Sequence, residues 1–153
     1  MIRMRYIDRS KWNDGPWRDE PDYLDYIEPL TGLRCVIRRV EWSGHLNGYV
    51  GVKEGHPAFG KHYEDLDEEI DDVHGGLSLS NQGKLALSRD DHDVWWVGFD
   101  TMHLYDIQPS RSLQVVYPES SYKGVAYMEI ECLKLAQGLQ AMEEKLQRAK
   151  EAM

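Results

Sequence analysis

Three short stretches of the chain place ionisable side chains beside glycine. Gly55-His56-Pro57 follows a strand-like run, and Val73-His74-Gly75-Gly76 opens another. Gly98-Phe99-Asp100-Thr101-Met102-His103 closes the run VWWVGF, with Asp106 three residues further on. A turn after that run can aim Asp100 and His103 at each other, and a carboxylate beside an imidazole fixes its tautomer and raises its basicity. Such a pair suits general acid–base catalysis or metal ligation. His74 reaches the same place if its segment lies beside the Trp95-Trp96 strand, and Gly75-Gly76 leave room for a ligand or another backbone. The expected site therefore has Asp100 and His103 within hydrogen-bond or one-water reach, His74 close by and Asp106 on the rim. His74, His103 and Asp100 are the catalytic candidates, and the same three are the ligands expected for a divalent metal. His56, Gly75, Gly76, Trp95, Trp96 and Asp106 are the candidates for contact with the ligand.

Each of these residues also has a plainer reading. Asp100 can cap its own turn by accepting from the N–H of Thr101 or Met102. His103 can be a surface histidine, Gly75-Gly76 a β-bulge, and the two tryptophans core packing. The spacing is not that of H-E-x-x-H, of a phosphate-binding G-x-x-x-x-G-K-[ST] loop, of G-x-G-x-x-G or of a nucleophile elbow.

The elements that must position these groups are read from periodicity and punctuation. Residues 10–31 carry Pro16, Pro21 and Pro29 among Trp, Asp and Tyr, which predicts an irregular aromatic segment with one short helical turn. Leu33 to Val40 reads as a strand and Tyr49 to Val52 as its hairpin return. Acidic residues crowd positions 64–72, which reads as a solvated loop. Alternating leucines in VHGGLSLS and KLALS, around Asn-Gln-Gly, predict a second hairpin. Val94 to Phe99 is the most strand-like run and reads as a strand covered on both faces, with Trp95 and Trp96 on opposite sides. Leu113 to Tyr117 is a further candidate strand. Beyond Pro118, Ser120 or Ser121 can cap a helix to about residue 150, carrying the stripe Val125, Met128, Cys132, Leu135, Leu139, Met142, Leu146. The fold expected is α+β: a mainly antiparallel sheet of about five or six strands, covered by a long C-terminal helix. Residues 1–153 form one domain, divided into segment 1–31, sheet 33–117 and helix 120–150.

Composition narrows the function classes. With 153 residues, 18 Lys+Arg against 27 Asp+Glu and a net charge of −9, the chain has the size of one domain and the wrong sign for gripping a nucleic-acid backbone. Two cysteines far apart, Cys35 and Cys132, do not make a disulfide framework or a thiolate zinc knuckle. No signal-type apolar run and no ~18-residue apolar span appears, so a cytoplasmic location without membrane contact is expected.

The pieces GYVGVKEGHPAFGK, DVHGGLSLS and WWVGFDTMHLYD resemble a family of small uncharacterised proteins met in phage and prophage genomes. That family's pattern reads GYVGV-x-x-GHP, VHGGLT and WWFGFD-x-x-H-x-x-D before a terminal helix. The resemblance covers about residues 33–148. It implies a phage origin, hence a host-cell cytoplasm, and marks His56, His74, Asp100, His103 and Asp106; it brings no assigned activity. Ser78 stands where the pattern has Thr, and Thr101-Met102 where smaller residues are usual.

Three functions follow as expectations. The first is a pocket for a small polar, nucleotide-like ligand, with a tryptophan near the base and hydrolysis by His74 and His103 or by a metal. The second is an acidic inhibitor of a host protein, a counter-defence factor or nucleic-acid mimic, using residues 64–72 and 19–28. The third is a structural or assembly role, with the terminal helix forming a homo-oligomer because its apolar seam outruns the sheet.

Overall fold

In the strand Trp95–Asp100, Val97 and Phe99 point to one side and Trp96 to the other, and both sides are buried. That alternation organises the whole molecule. The computed structural model describes residues 1–70, 72–83, 91–111 and 114–153. Among them are strands β1 (Ile2–Met4), β2 (Tyr23–Ile27), β3 (Arg34–Arg39), β4 (Leu46–Val52), β5 (Leu79–Gln82) and β6 (Trp95–Asp100). One α-helix, α1 (Val125–Glu151), follows, and short 3-10 turns occupy Pro16–Asp19 and Tyr63–Asp65. The six strands form a single sheet in the order β1-β2-β3-β4-β6-β5 with every neighbouring pair antiparallel. The α+β class read from the sequence is the one observed.

One face of the sheet packs on α1. Leu24, Cys35, Ile37, Leu46, Val50, Val97 and Phe99 meet Met128, Cys132, Leu135 and Leu139, all essentially inaccessible to solvent. The helix lies across β3 and β4. Gly48 on β4 is required by that packing, because a Cβ there would lie 2.6 Å from the Phe99 ring and 2.9 Å from the Cys132 sulfur. The long segment after β4 returns over the same side and sends Ala58, Leu66, Ile70, Val73 and Leu77 into this core. The opposite face holds Tyr23, Val36, Tyr49, Val94 and Trp96. A third cluster, Ile7, Trp12 and Trp17 with Ile107 and Tyr122, ties the N-terminal segment to the approach to α1. No helix among the described residues is long and apolar enough to cross a membrane.

Several local expectations need correcting. The N-terminal segment contains the one expected helical turn, but it also supplies β1 and β2, and β2 is an interior strand. Within the 19–28 stretch expected to contribute to an acidic face, the Asp22 and Asp25 side chains are instead buried against Arg9, Arg39 and Arg34. Residues 114–117 form no strand, and Val115 and Val116 are exposed; Leu113 and the KLALS strand of the second hairpin fall outside the described residues. Neither Ser120 nor Ser121 caps α1. Its N-cap is Gly124, and the Val125 N–H donates instead to Glu20 Oε2 at 2.8 Å, a carboxylate from the far end of the sequence. The apolar stripe is buried from Val125 to Met142, and Leu146 emerges into solvent.

Candidate functional site

The polar cluster sits where three elements converge: the loop entering β5, the turn leaving β6 and the first turns of α1. Val73 is buried, which anchors the loop, and the next residue's backbone N–H donates to Glu131 Oε1 on α1 at 3.0 Å. This fixes His74 between helix and turn. Its Nε2 lies 2.8 Å from Asp106 Oδ2 and its Nδ1 2.7 Å from the Tyr127 hydroxyl. The turn after β6 is closed by Asp106 N–H on the His103 carbonyl at 3.0 Å, and Asp106 forms an isolated parallel bridge with Ser121.

Asp106 is the hub, not the rim. Only 2 % of it is exposed, and its two oxygens divide the work. Oδ1 takes Lys123 Nζ at 2.9 Å, while Oδ2 accepts from the His103 backbone N–H at 3.0 Å and faces His74. Burial pushes its pKa up, but the hydrogen bonds from His74, Lys123 and His103 outweigh burial and hold it down at about 2. The group is therefore an anion that can only accept. His74 must donate from Nε2, so the neutral ring offers its Nδ1 lone pair to the Tyr127 O–H. Burial, with Glu131 and Asp106 nearby, raises the Tyr127 pKa and keeps that hydroxyl protonated.

His103 is the outward member. Its side chain is 40 % exposed, its Nε2 lies 3.2 Å from Asp100 Oδ1, and its ring meets that of His74 edge-on at 5.5 Å. Asp100 Oδ1 also accepts from the Met102 N–H at 3.0 Å, so the turn-capping reading and the histidine-pairing reading hold together. Gly75 explains how the ring is seated. Its φ is +66°, and a Cβ on it would lie 2.1 Å from His103 Nε2. Its bareness makes room for His103 and not for a β-bulge. Gly76, at φ +79°, has nothing within 4 Å of where its Cβ would be, so its side of the loop is open.

Other sequence candidates lie elsewhere. His56 Nε2 bonds the Leu139 carbonyl of α1 at 2.9 Å and its Nδ1 accepts from the Ala58 N–H at 3.0 Å. Leu139 is eight residues along α1 from Glu131, a separation of about 12 Å at ~1.5 Å per residue. Trp95 and Trp96 do face opposite sides of the sheet. Trp95 donates to the Lys61 carbonyl at 3.1 Å on the helix side, and Trp96 to the Gly83 carbonyl at 2.9 Å in the cluster containing Tyr23. Neither indole lies in the polar cluster, and Trp96 is only 1 % exposed, so it is not a free platform for a base.

Sequence reading missed Lys123, Tyr127 and Glu131. The available signal was Glu131, a carboxylate beside Cys132 within the apolar stripe, with Tyr127 four residues before it on the same side of the helix. Glu131 is buried and is paired with Lys134 at 2.9 Å.

A nitrogen from each of His74 and His103 and an oxygen of Asp106 all lie within 4.8 Å of one another. Two imidazoles and one carboxylate form a donor set suited to a divalent transition metal, and three protein ligands leave positions open for water or substrate. The surroundings fit that role. Were an ion held by Nε2, the His74 ring proton would lie on Nδ1 and be donated to the Tyr127 oxygen, while Lys123 would keep Asp106 Oδ1 and leave Oδ2 to face the rings. This candidate set differs from the expected one in that Asp106 takes the place of Asp100, which stands behind His103. Comparison with known proteins finds no matching family model, no matching curated protein and no matching solved structure.

Proposed function

We propose that His74, His103 and Asp106 hold a divalent metal ion through which the protein binds, and hydrolyses, a small polar ligand bearing anionic oxygens. The observation that carries this reading is the convergence of the three ligating atoms within 4.8 Å on the solvent-facing side of a buried, fully bonded support. A divalent ion so held lowers the pKa of bound water and polarises an oxygen of the ligand. The chain's own groups do the rest. His103, whose other ring nitrogen is backed by the Asp100 carboxylate, is the ligand at the mouth, and that contact orients its ring toward the ion. Gly76 leaves the approach free of side chains. A nucleotide remains within the ligand class, but recognition would rest on its phosphates, since both indoles are engaged elsewhere.

The test is a thermal-unfolding scan with zinc, manganese, nickel and magnesium, followed by hydrolysis assays on phosphomonoesters, phosphodiesters and nucleotides. One transition metal should raise the melting temperature and be needed for turnover, and both effects should vanish in His103→Ala. A metal-independent melting temperature would overturn the reading.

A second reading has its own observation. Glu64, Asp65, Asp67, Glu68 and Glu69 are all exposed on a turn anchored by the buried Leu66 and Ile70, so this acidic rim is a presented surface and not a loose loop. We propose it as a docking face for a basic host protein, the setting to which the resemblance to phage proteins belongs. Capture of a partner that is lost at high salt and lost when these five residues are neutralised supports it; capture unaffected by both sinks it.

A further inference from the structure

The last turns of α1 leave the body of the protein. Met142 is the final buried residue of the helix, and from Glu143 to the helix end at Glu151 every residue is exposed, whichever way it points. The helical turn continues into Ala152, whose N–H donates to the Arg148 carbonyl at 3.1 Å. The apolar seam does not stop where its cover does. Met142, Leu146, Ala149 and Met153 recur at alternating spacings of four and three, which keeps them on one stripe. Leu146 is 36 % exposed, and Ala149 and Met153 are exposed as well. Beside the root of this segment the turn between β2 and β3 adds Leu30, 69 % exposed, and Leu33, which shares a groove of about 390 Å³ with Gln140, Glu143 and Gln147.

The charges flanking the stripe name its occupant. In heptad terms Leu146 and Met153 hold position a, Met142 and Ala149 position d, Glu143 and Lys150 position e, and Lys145 position g. Two copies running in the same direction bring g of one beside the following e of the other, which sets Lys145 against Lys150 twice. Two copies running in opposite directions bring e beside e. That sets Glu143 against Lys150 twice and leaves Lys145 beside Ala152. The antiparallel register also seats Leu146 against the small Ala149 of the other copy, and Met142 against Met153. One orientation repels and the other attracts, so the segment is complementary to itself.

We infer that the end of α1 is a self-association surface on which two copies of this chain pair antiparallel, about a twofold axis between Leu146 and Ala149. The paired stretch is short, which places the dimer among weak, reversible interfaces. Nothing in this inference depends on the metal site.

The experiment is sedimentation equilibrium of the full chain from about 5 to 500 μM, with a chelator present so that no metal bridges two copies. A monomer–dimer equilibrium is expected. Ala149→Glu places a charge in the seam at an exposed position; it should abolish the dimer and leave the melting temperature of the dilute protein unchanged. Lys150→Glu turns both attractions into repulsions and should weaken the dimer about tenfold, and Glu143→Lys/Lys150→Glu should restore it. The single variant carries the orientation, because Glu143 also lies 3.7 Å from His56 Nε2. In a parallel pair Lys150→Glu would relieve the Lys145 repulsion, so the dimer would tighten. A monomer or a larger assembly throughout, a dimer indifferent to Ala149→Glu, a dimer unchanged or tightened by Lys150→Glu, or a folded double variant no tighter than Lys150→Glu would each overturn the inference.

Discussion

His74 and Asp106 stand 32 residues apart in sequence and meet in a 2.8 Å hydrogen bond whose donor is the imidazole, because Asp106 is held as an anion. That bond joins the loop entering β5 to the turn leaving β6. Glu131 and Tyr127 then tie the same histidine to α1. The site is therefore assembled by the tertiary fold and supported from behind, with only His103 placed at the surface.

The two adjacent glycines separate seating the ring from simple backbone strain. Both have positive φ, so an alanine at either should cost about 1–2 kcal/mol of stability. Only Gly75→Ala puts a Cβ into the space of the His103 ring. Titration of Gly75→Ala should show metal binding lost, and that of Gly76→Ala should show it kept. Equal binding by the two variants would mean that His103 is not held as described.

His45 gives the pH dependence. It is buried, its Nδ1 is bonded to Ser43 Oγ, and burial lowers its pKa below the usual 6.5 despite the Asp100 and Asp106 charges nearby. In the unfolded chain it takes up a proton below pH 6.5, while the folded state resists it. Its contribution to stability is thus complete above that pH and is lost as the pH falls through and below it, with a slope of at most ~1.4 kcal/mol per pH unit for one proton. Denaturant unfolding from pH 7.5 to 5 should show a shallower decline in His45→Asn than in the wild type. Parallel declines would contradict this.

Much of the scaffold was legible because burial on two faces leaves a clear pattern. The run VWWVGF and the stripe from Val125 to Met142 state their elements through period and residue type alone. β2 was not legible, since Asp25 interrupts its apolar pattern, Asp22 stands just before it, and the burial of both depends on Arg9, Arg34 and Arg39, which neighbouring segments bring to them only in the folded chain. The site was half legible for the same reason. The His103–Asp100 contact is local, three residues apart, and could be read from a turn. Asp106 became the hub through Lys123 and His74, and Tyr127 joined through helix placement, neither of which a local pattern encodes.

Glu20 should matter to stability far more than a partly exposed acid usually does. Its Oε2 accepts from the first N–H of α1 at 2.8 Å, and its Oε1 bonds the Tyr122 hydroxyl and lies 3.4 Å from the buried Arg39 guanidinium. Glu20→Ala removes a helix-end acceptor and part of the screening of a buried cation, an expected loss of about 2–4 kcal/mol. Urea unfolding followed by far-ultraviolet circular dichroism measures it. A loss below about 0.5 kcal/mol, the level of an ordinary surface substitution, would contradict the assignment.

Asp106, and not Asp100, is proposed to complete the metal-binding set with His74 and His103. Competition titration with a chromophoric metal chelator, on the wild type, His103→Ala, Asp106→Asn and Asp100→Asn, tests it directly. One tightly bound transition-metal ion per chain is expected in the wild type. Binding should be lost in His103→Ala and Asp106→Asn, and weakened by about 10–100-fold, the usual cost of removing a supporting carboxylate, in Asp100→Asn. No stoichiometric metal in the wild type, or loss in Asp100→Asn with full binding in a folded Asp106→Asn, would contradict the account.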